Sequence, residues 1–91
     1  MISRELTVTA KVGLHARPVA LIAKLATELA AEGISIRIGR TADQLVAANS
    51  SLRMLTLKIT SGEKVLVELG TDDSGRAEAI FIQVAEALAA D

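Results

Sequence analysis

From Ile2 the chain alternates, with Ile2, Leu6, Val8 and Ala10 on one face and Ser3, Glu5, Thr7, Thr9 and Lys11 on the other. A period of two marks a strand with one buried face, and Arg4 is its only misfit. From Ala16 to about Glu32 the period lengthens. Val19, Ile22, Ala23, Ala26, Leu29 and Ala30 recur at helical spacing, and Gly33 then supplies a C-terminal stop. Alternation returns at Ile34, Ile36 and Ile38, and the turn-rich stretch "GRTAD" leads to a short strand around Gln44 to Ala47, predicting a hairpin. "NSSLRMLTL" opens with capping residues and predicts a short helix. "SGE" turns the chain into a strand from Lys64 to Leu69. Ala77, Ile80, Phe81, Val84 and Leu88 then trace one face of a last helix, entered through Asp72, Asp73 and Ser74. The order β, α, β, β, α, β, α predicts an α+β layer structure over residues 1–91 as one domain, with helices covering one face of the sheet and water the other.

The helical wheel adds a finer expectation. At 100° per residue, the stripe of Val19, Ile22, Ala26 and Leu29 leaves Leu21 on the opposite face with Arg17, Lys24 and Glu28. In the second helix Met54 and Leu57 fall on one side and Leu52 and Leu55 on another, so one pair faces outward. Isolated exposed leucines are common and need no explanation. Should these share a face with His15, however, they form an apolar patch bordered by Arg17, Lys24 and Arg53, suited to acidic protein partners.

Composition narrows the function classes. The 91 residues, 51% apolar and 23% charged, fit a soluble globular chain rather than a disordered one. No run approaches the roughly 18 apolar residues of a membrane span, and "MISREL" places charge where a signal peptide needs apolar residues. A cytoplasmic monomer is expected. With no cysteine and one histidine, the usual ligands of a metal or haem site are missing, so no cofactor and no metal are expected. A net charge of −1 and a single aromatic residue, Phe81, argue against a nucleic-acid surface. The expected partner is a protein or a small molecule.

One stretch gathers unusual residues. "VGLHARP", residues 12 to 18, holds the only histidine and the only proline. His15 lies between a strand end and a helix start, where the first helical N–H groups lack partners inside the helix and attract anions. Gly13 frees the backbone for a sharp turn, and Pro18 fits a first helical turn whether the helix starts at Ala16 or at Pro18. Arg17 offers a fork of donors matched to phosphate oxygens. Imidazole is nucleophilic near neutral pH, and its phosphoramidate is labile enough to pass on. A lone histidine before a helix can equally cap it or sit solvated in a loop, and this chemistry does not separate a phosphohistidine from a simple anion site.

"GLHARP" resembles the active-site motif of the histidine-containing phosphocarrier family HPr of the bacterial sugar phosphotransferase system. Length, motif position and element order agree over essentially the whole chain. The resemblance implies an open-faced β-sandwich, a four-stranded antiparallel sheet with three helices on one face. It implies that His15 accepts a phosphoryl group on Nδ1 from enzyme I, itself charged by phosphoenolpyruvate, and passes it to the IIA components of sugar transporters. Arg17 matches the family arginine that meets the phosphoryl group, and Ala16 with Arg17 supplies the helix-start amides. Ala20, Leu21, Lys24, Leu52, Arg53 and Leu55 become the expected partner-binding residues. "NSSL" resembles the start of the family's short second helix, which places a regulatory phosphorylation site, written and erased by a serine kinase and phosphatase, on Ser50. The chain departs from the family pattern at Ser51, Arg53 and Lys58 and in a longer stretch from Gly33 to Asn49.

Two other readings stand beside the sugar-transport carrier. A paralogous carrier in a regulatory, nitrogen-related phosphorelay would use the same chemistry. A noncatalytic module that binds regulatory proteins through the same face would have no need of the nucleophile. On any of these readings the chain is a component passing a group along, or a binding partner, rather than a stand-alone enzyme.

Overall fold

A computed structural model describes residues 1–91. The elements are β1 (Ile2–Thr7), α1 (Ala16–Ala30), β2 (Ile36–Gly39), a 3-10 turn (Ala42–Gln44), β3 (Val46–Ala47), α2 (Ser51–Thr56), β4 (Lys64–Leu69) and α3 (Ser74–Leu88). The four strands form one antiparallel sheet in the order β1-β4-β2-β3, so β4, last in sequence, lies between β1 and β2. The helices cover one face, which is the expected open-faced α+β sandwich. The core is built from the predicted stripes. Val19, Ile22, Ala26 and Leu29 of α1 and Ala77, Ile80, Phe81, Val84 and Leu88 of α3 close over Ile36, Ile38, Val65, Val67 and Leu69 of the sheet. Truncating one of these, Ile22→Ala for instance, removes transfer energy and leaves a cavity, at a cost of about 2–5 kcal/mol.

The structure corrects the sequence reading in four places. β1 ends at Thr7, although Val8 and Ala10 are buried as expected. Beyond Thr7 the chain leaves the ladder, because the amides of Thr9 and Ala10 both donate to the Leu88 carbonyl, at 3.1 and 2.9 Å. α1 stops at Ala30, which is exposed, rather than near Glu32, with Gly33 beyond it at φ +79°. β3 is shorter than Gln44 to Ala47, because Ala42–Gln44 coil into the 3-10 turn. Gly39 permits that turn: a Cβ there would sit 2.4 Å from the Gln44 carbonyl oxygen. Arg4 is no misfit, since its guanidinium lies 4.6 Å over the Phe81 ring and bonds Glu78 at 2.5 Å. The guanidinium itself thus covers core aromatic surface while its charge is paired with the Glu78 carboxylate.

Candidate functional site

α1 begins at Ala16, which settles the helix start and places Pro18 in its first turn. His15 is its N-cap residue, in extended conformation (φ −99°, ψ −169°), and its side chain caps nothing. Its carbonyl accepts the Val19 amide at 3.1 Å, while the amides of Ala16 and Arg17 find no acceptor in the protein. Pro18 has no amide to offer. The helix start therefore presents two free N–H groups, both on residues flanking the imidazole, at the positive end of the helix dipole.

The loop before His15 is bolted down at both ends. Thr9 and Ala10 hang on the end of α3 through the Leu88 carbonyl, and the Lys11 amide donates to Asp91 Oδ1 at 2.7 Å. Gly13 takes φ +84°, and a Cβ there would meet the Ile59 carbonyl oxygen at 2.6 Å, so only glycine fits. Leu14 is buried and its amide donates to the same Ile59 carbonyl at 3.0 Å. The ring of His15 is half-buried, and Nε2 is enclosed by protein without a hydrogen-bond partner. A buried polar atom left unpaired is costly and uncommon. With Nε2 enclosed, Nδ1 is the ring nitrogen free to meet another molecule.

The leucines among the partner-binding candidates are exposed, as the wheel predicts. Met54 is fully buried, while Leu52 and Leu55 are 74% and 41% exposed and Leu21 is 39% exposed. Ala20, Lys24 and Arg53 are exposed beside them on α1 and α2, which pack together. Ser50 caps α2, its Oγ accepting the Arg53 amide at 3.3 Å.

Charge is segregated around these residues. Five of the ten Lys and Arg side chains, Arg4, Arg37, Arg40, Lys64 and Arg76, pair with carboxylates. The unpaired five are Lys11, Arg17, Lys24, Arg53 and Lys58, all in the His15 loop, α1, or α2 and its exit. Neither Val8 to Thr27 nor Gln44 to Gly62 contains an acidic residue. His15 lines neither of the two surface depressions, one bordered by Leu21 of the partner-binding set with Leu25, Gln83, Glu86 and Ala87, the other beside Ala26, Ile36 and Asn49. His15 therefore sits on an open surface and not in a substrate cleft.

Sequence reasoning missed Arg40 and Glu63. Arg40 Nε and Nη2 grip the two Glu63 carboxylate oxygens at 3.0 and 3.1 Å, and its remaining bonds go to the carbonyls of Leu57 and Lys58 at 2.6 and 3.1 Å. Glu63 also accepts from the Thr60 amide and hydroxyl at 2.5 and 3.0 Å. Chiefly through the Arg40 bonds, and secondarily through the Thr60 amide, its carboxyl is lowered to about 2. No sequence signal marks the pair, which lies 23 residues apart.

A histidine on an open surface, at an uncapped helix start within an open-faced sandwich, is the arrangement of a group carrier. The comparisons give that class its family. The family model described as the PTS HPr component phosphorylation site matches residues 2–90, and the chain belongs to the HPr family of phosphocarriers of the phosphotransferase system. Among solved structures, it is similar to HPr-C-His from Thermoanaerobacter tengcongensis, with 25% identity, TM-score 0.76, and coverage of 97% of this chain and 94% of that one. A histidine-containing phosphocarrier protein from a mycoplasma is likewise 25% identical, with TM-score 0.75 and coverage of 99% and 100%. The fold is shared by phosphocarrier protein HPr from Bacillus anthracis, at 24% identity, TM-score 0.73 and 94% coverage of each chain. No curated protein matches the chain closely enough to count as a relative. No helix is long and apolar enough to cross a membrane.

Proposed function

We propose that His15 carries the phosphoryl group, accepting it from enzyme I charged by phosphoenolpyruvate and delivering it to IIA components of sugar transporters. The observation that carries this reading is the start of α1: a half-buried imidazole with Nε2 enclosed, set beside two amides that have no other acceptor. In the neutral ring the proton resides on Nε2 and the lone pair on Nδ1. That lone pair attacks phosphorus, the N–P bond forms, and the bond from phosphorus to its donor breaks with its electron pair leaving on the donor. The phosphoryl oxygens then meet the amides of Ala16 and Arg17 and the Arg17 guanidinium, with the helix dipole favouring their charge. The second transfer is the same displacement with the phosphohistidine as donor.

The unpaired cations Arg17, Lys24 and Arg53, set among Ala20, Leu21, Leu52 and Leu55, support an apolar docking patch with a basic rim for acidic partner surfaces. Ser50, at the start of α2 beside that patch, is the proposed target of a serine kinase and phosphatase. The chain is proposed to act as one domain, residues 1–91. Incubation with phosphoenolpyruvate and enzyme I should give an acid-labile phosphoryl adduct by intact mass, absent from His15→Ala. An adduct on that variant, or none on the wild type, would overturn the assignment.

A further inference from the structure

We infer that Arg40 and Glu63 are positioning residues for His15, clamping the segment on which the His15 loop is seated. This role rests on the phosphoryl-carrier reading above. Arg40 sits just past β2 and joins three pieces of chain that no element holds together. Its Nη1 and Nη2 bond the Leu57 and Lys58 carbonyls where α2 ends, and its Nε and Nη2 take the Glu63 carboxylate in a fork. Glu63 in turn holds both the amide and the hydroxyl of Thr60.

Between these anchors lies Ile59. Its carbonyl receives the Leu14 amide at 3.0 Å, and the backbone of Ile59 and Thr60 fills the space that a Cβ on Gly13 would need. Gly13 and Leu14 are the two residues before His15, and the His15 amide donates to the Gly13 carbonyl at 2.9 Å. A displacement of Ile59 therefore moves the backbone that aims the imidazole.

Two further features show that this segment needs holding. Lys58 takes φ +53°, a left-handed conformation at the exit of α2 where glycine is the ordinary choice. Ser61 and Gly62 form an exposed turn, tied back by the Gly62 amide on the Val8 carbonyl at 2.8 Å and the Val8 amide on the Glu63 carbonyl at 2.9 Å. Residues 57 to 63 contain no helix or strand, and their one buried side chain is Ile59. The Arg40 fork supplies the rigidity that secondary structure does not. The same clamp fixes the end of α2, so the His15 loop and the helix bearing Leu52 and Leu55 share one frame.

The test uses the full chain, with two readouts taken well below its melting temperature. Arg40→Ala should slow phosphoryl transfer from phosphorylated enzyme I by roughly tenfold, the scale expected when a reacting group is misaligned but still present. Hydrogen exchange of the Leu14 amide should accelerate by a similar factor while amides in the middle of α1 keep their protection, a pattern that uniform loss of stability does not give. Arg40→Ala combined with Glu63→Ala should be no slower than the slower single variant. Arg40→Lys keeps the charge but not the fork, should fall between, and carries the test if the alanine variant does not fold. Wild-type transfer in a folded Arg40 variant overturns the inference, and so does slowed transfer with unchanged Leu14 exchange. A wild-type chain that accepts no phosphoryl group overturns the carrier reading, and with it any positioning role.

Discussion

The two long helices have the same length, 15 residues each, and opposite beginnings. α3 starts by the rules: Asp73 at its N-cap accepts the Arg76 amide at 3.0 Å, with Asp72 preceding it at the positive end of the dipole. α1 breaks them. Its N-cap is a histidine whose side chain caps nothing, and although both first turns lack an acid and carry an arginine, Arg76 of α3 is paired with Glu32 while Arg17 of α1 has no carboxylate partner. Both helices bury full apolar stripes, so packing supplies what α1 forgoes at its end. On the proposed carrier reading, a helix start left unsatisfied inside an otherwise consistent fold keeps its donors for the charge of the arriving phosphoryl group.

The largest effect should come from giving α1 the start that α3 has. In His15→Asp the new carboxylate can accept a first-turn amide, so the helix should gain about 1 kcal/mol, which for a chain of this size raises the melting temperature by roughly 4–8 °C. Phosphoryl acceptance should be lost entirely, because the nucleophile is gone and the Arg17 amide is taken by the cap. Thermal unfolding and intact mass check the two halves. A lower melting temperature would show that the imidazole contributes more to packing than its open position suggests.

The reverse experiment removes the cap from α3. Asp73→Ala should cost about 1 kcal/mol and lower the melting temperature by roughly 4–8 °C. Its transfer kinetics should match the wild type wherever the protein is folded, since α3 hydrogen-bonds the His15 loop at its far end, through Leu88, and not near Asp73. Slowed transfer in this variant would break the contrast, placing function at the capped helix as well.

What the sequence displayed and what it hid follow the same division. Periodicity revealed α1, β4 and α3 because each buries one regular face, and it separated Met54 from Leu52 and Leu55 on a helix of only six residues. The histidine stood out because it is the only one in the chain and shares its short stretch with the only proline, a feature visible without any partner in space. The extent of β3 was hidden because the 3-10 turn depends on the contact of Gly39 with Gln44. Arg4 was misread because its aromatic partner lies 77 residues on, at Phe81. Arg40 and Glu63 gave no signal, because an ion pair between two loops has neither period nor spacing.

The start of α2 lies between the two extremes and should give the smallest effect. Ser50 caps it over a long 3.3 Å bond, there is no acid in the first turn, and the unpaired Arg53 stands just inside. Exchanging one good cap for another, Ser50→Asp, should change stability by no more than about 0.5 kcal/mol. The carboxylate falls, however, beside Leu52 and Arg53, on the face proposed to meet acidic partners. Its like charge should raise the KM for enzyme I a few-fold at low ionic strength, leaving kcat close to wild type because His15 and its amides are untouched. Salt that shortens the screening length to about 8 Å should remove most of that defect. A phosphate at Ser50 carries more charge and should act in the same direction and further. If Ser50→Asp shows wild-type KM in low salt, Ser50 is a helix cap like Asp73, and α2 belongs with α3 on the structural side of the comparison.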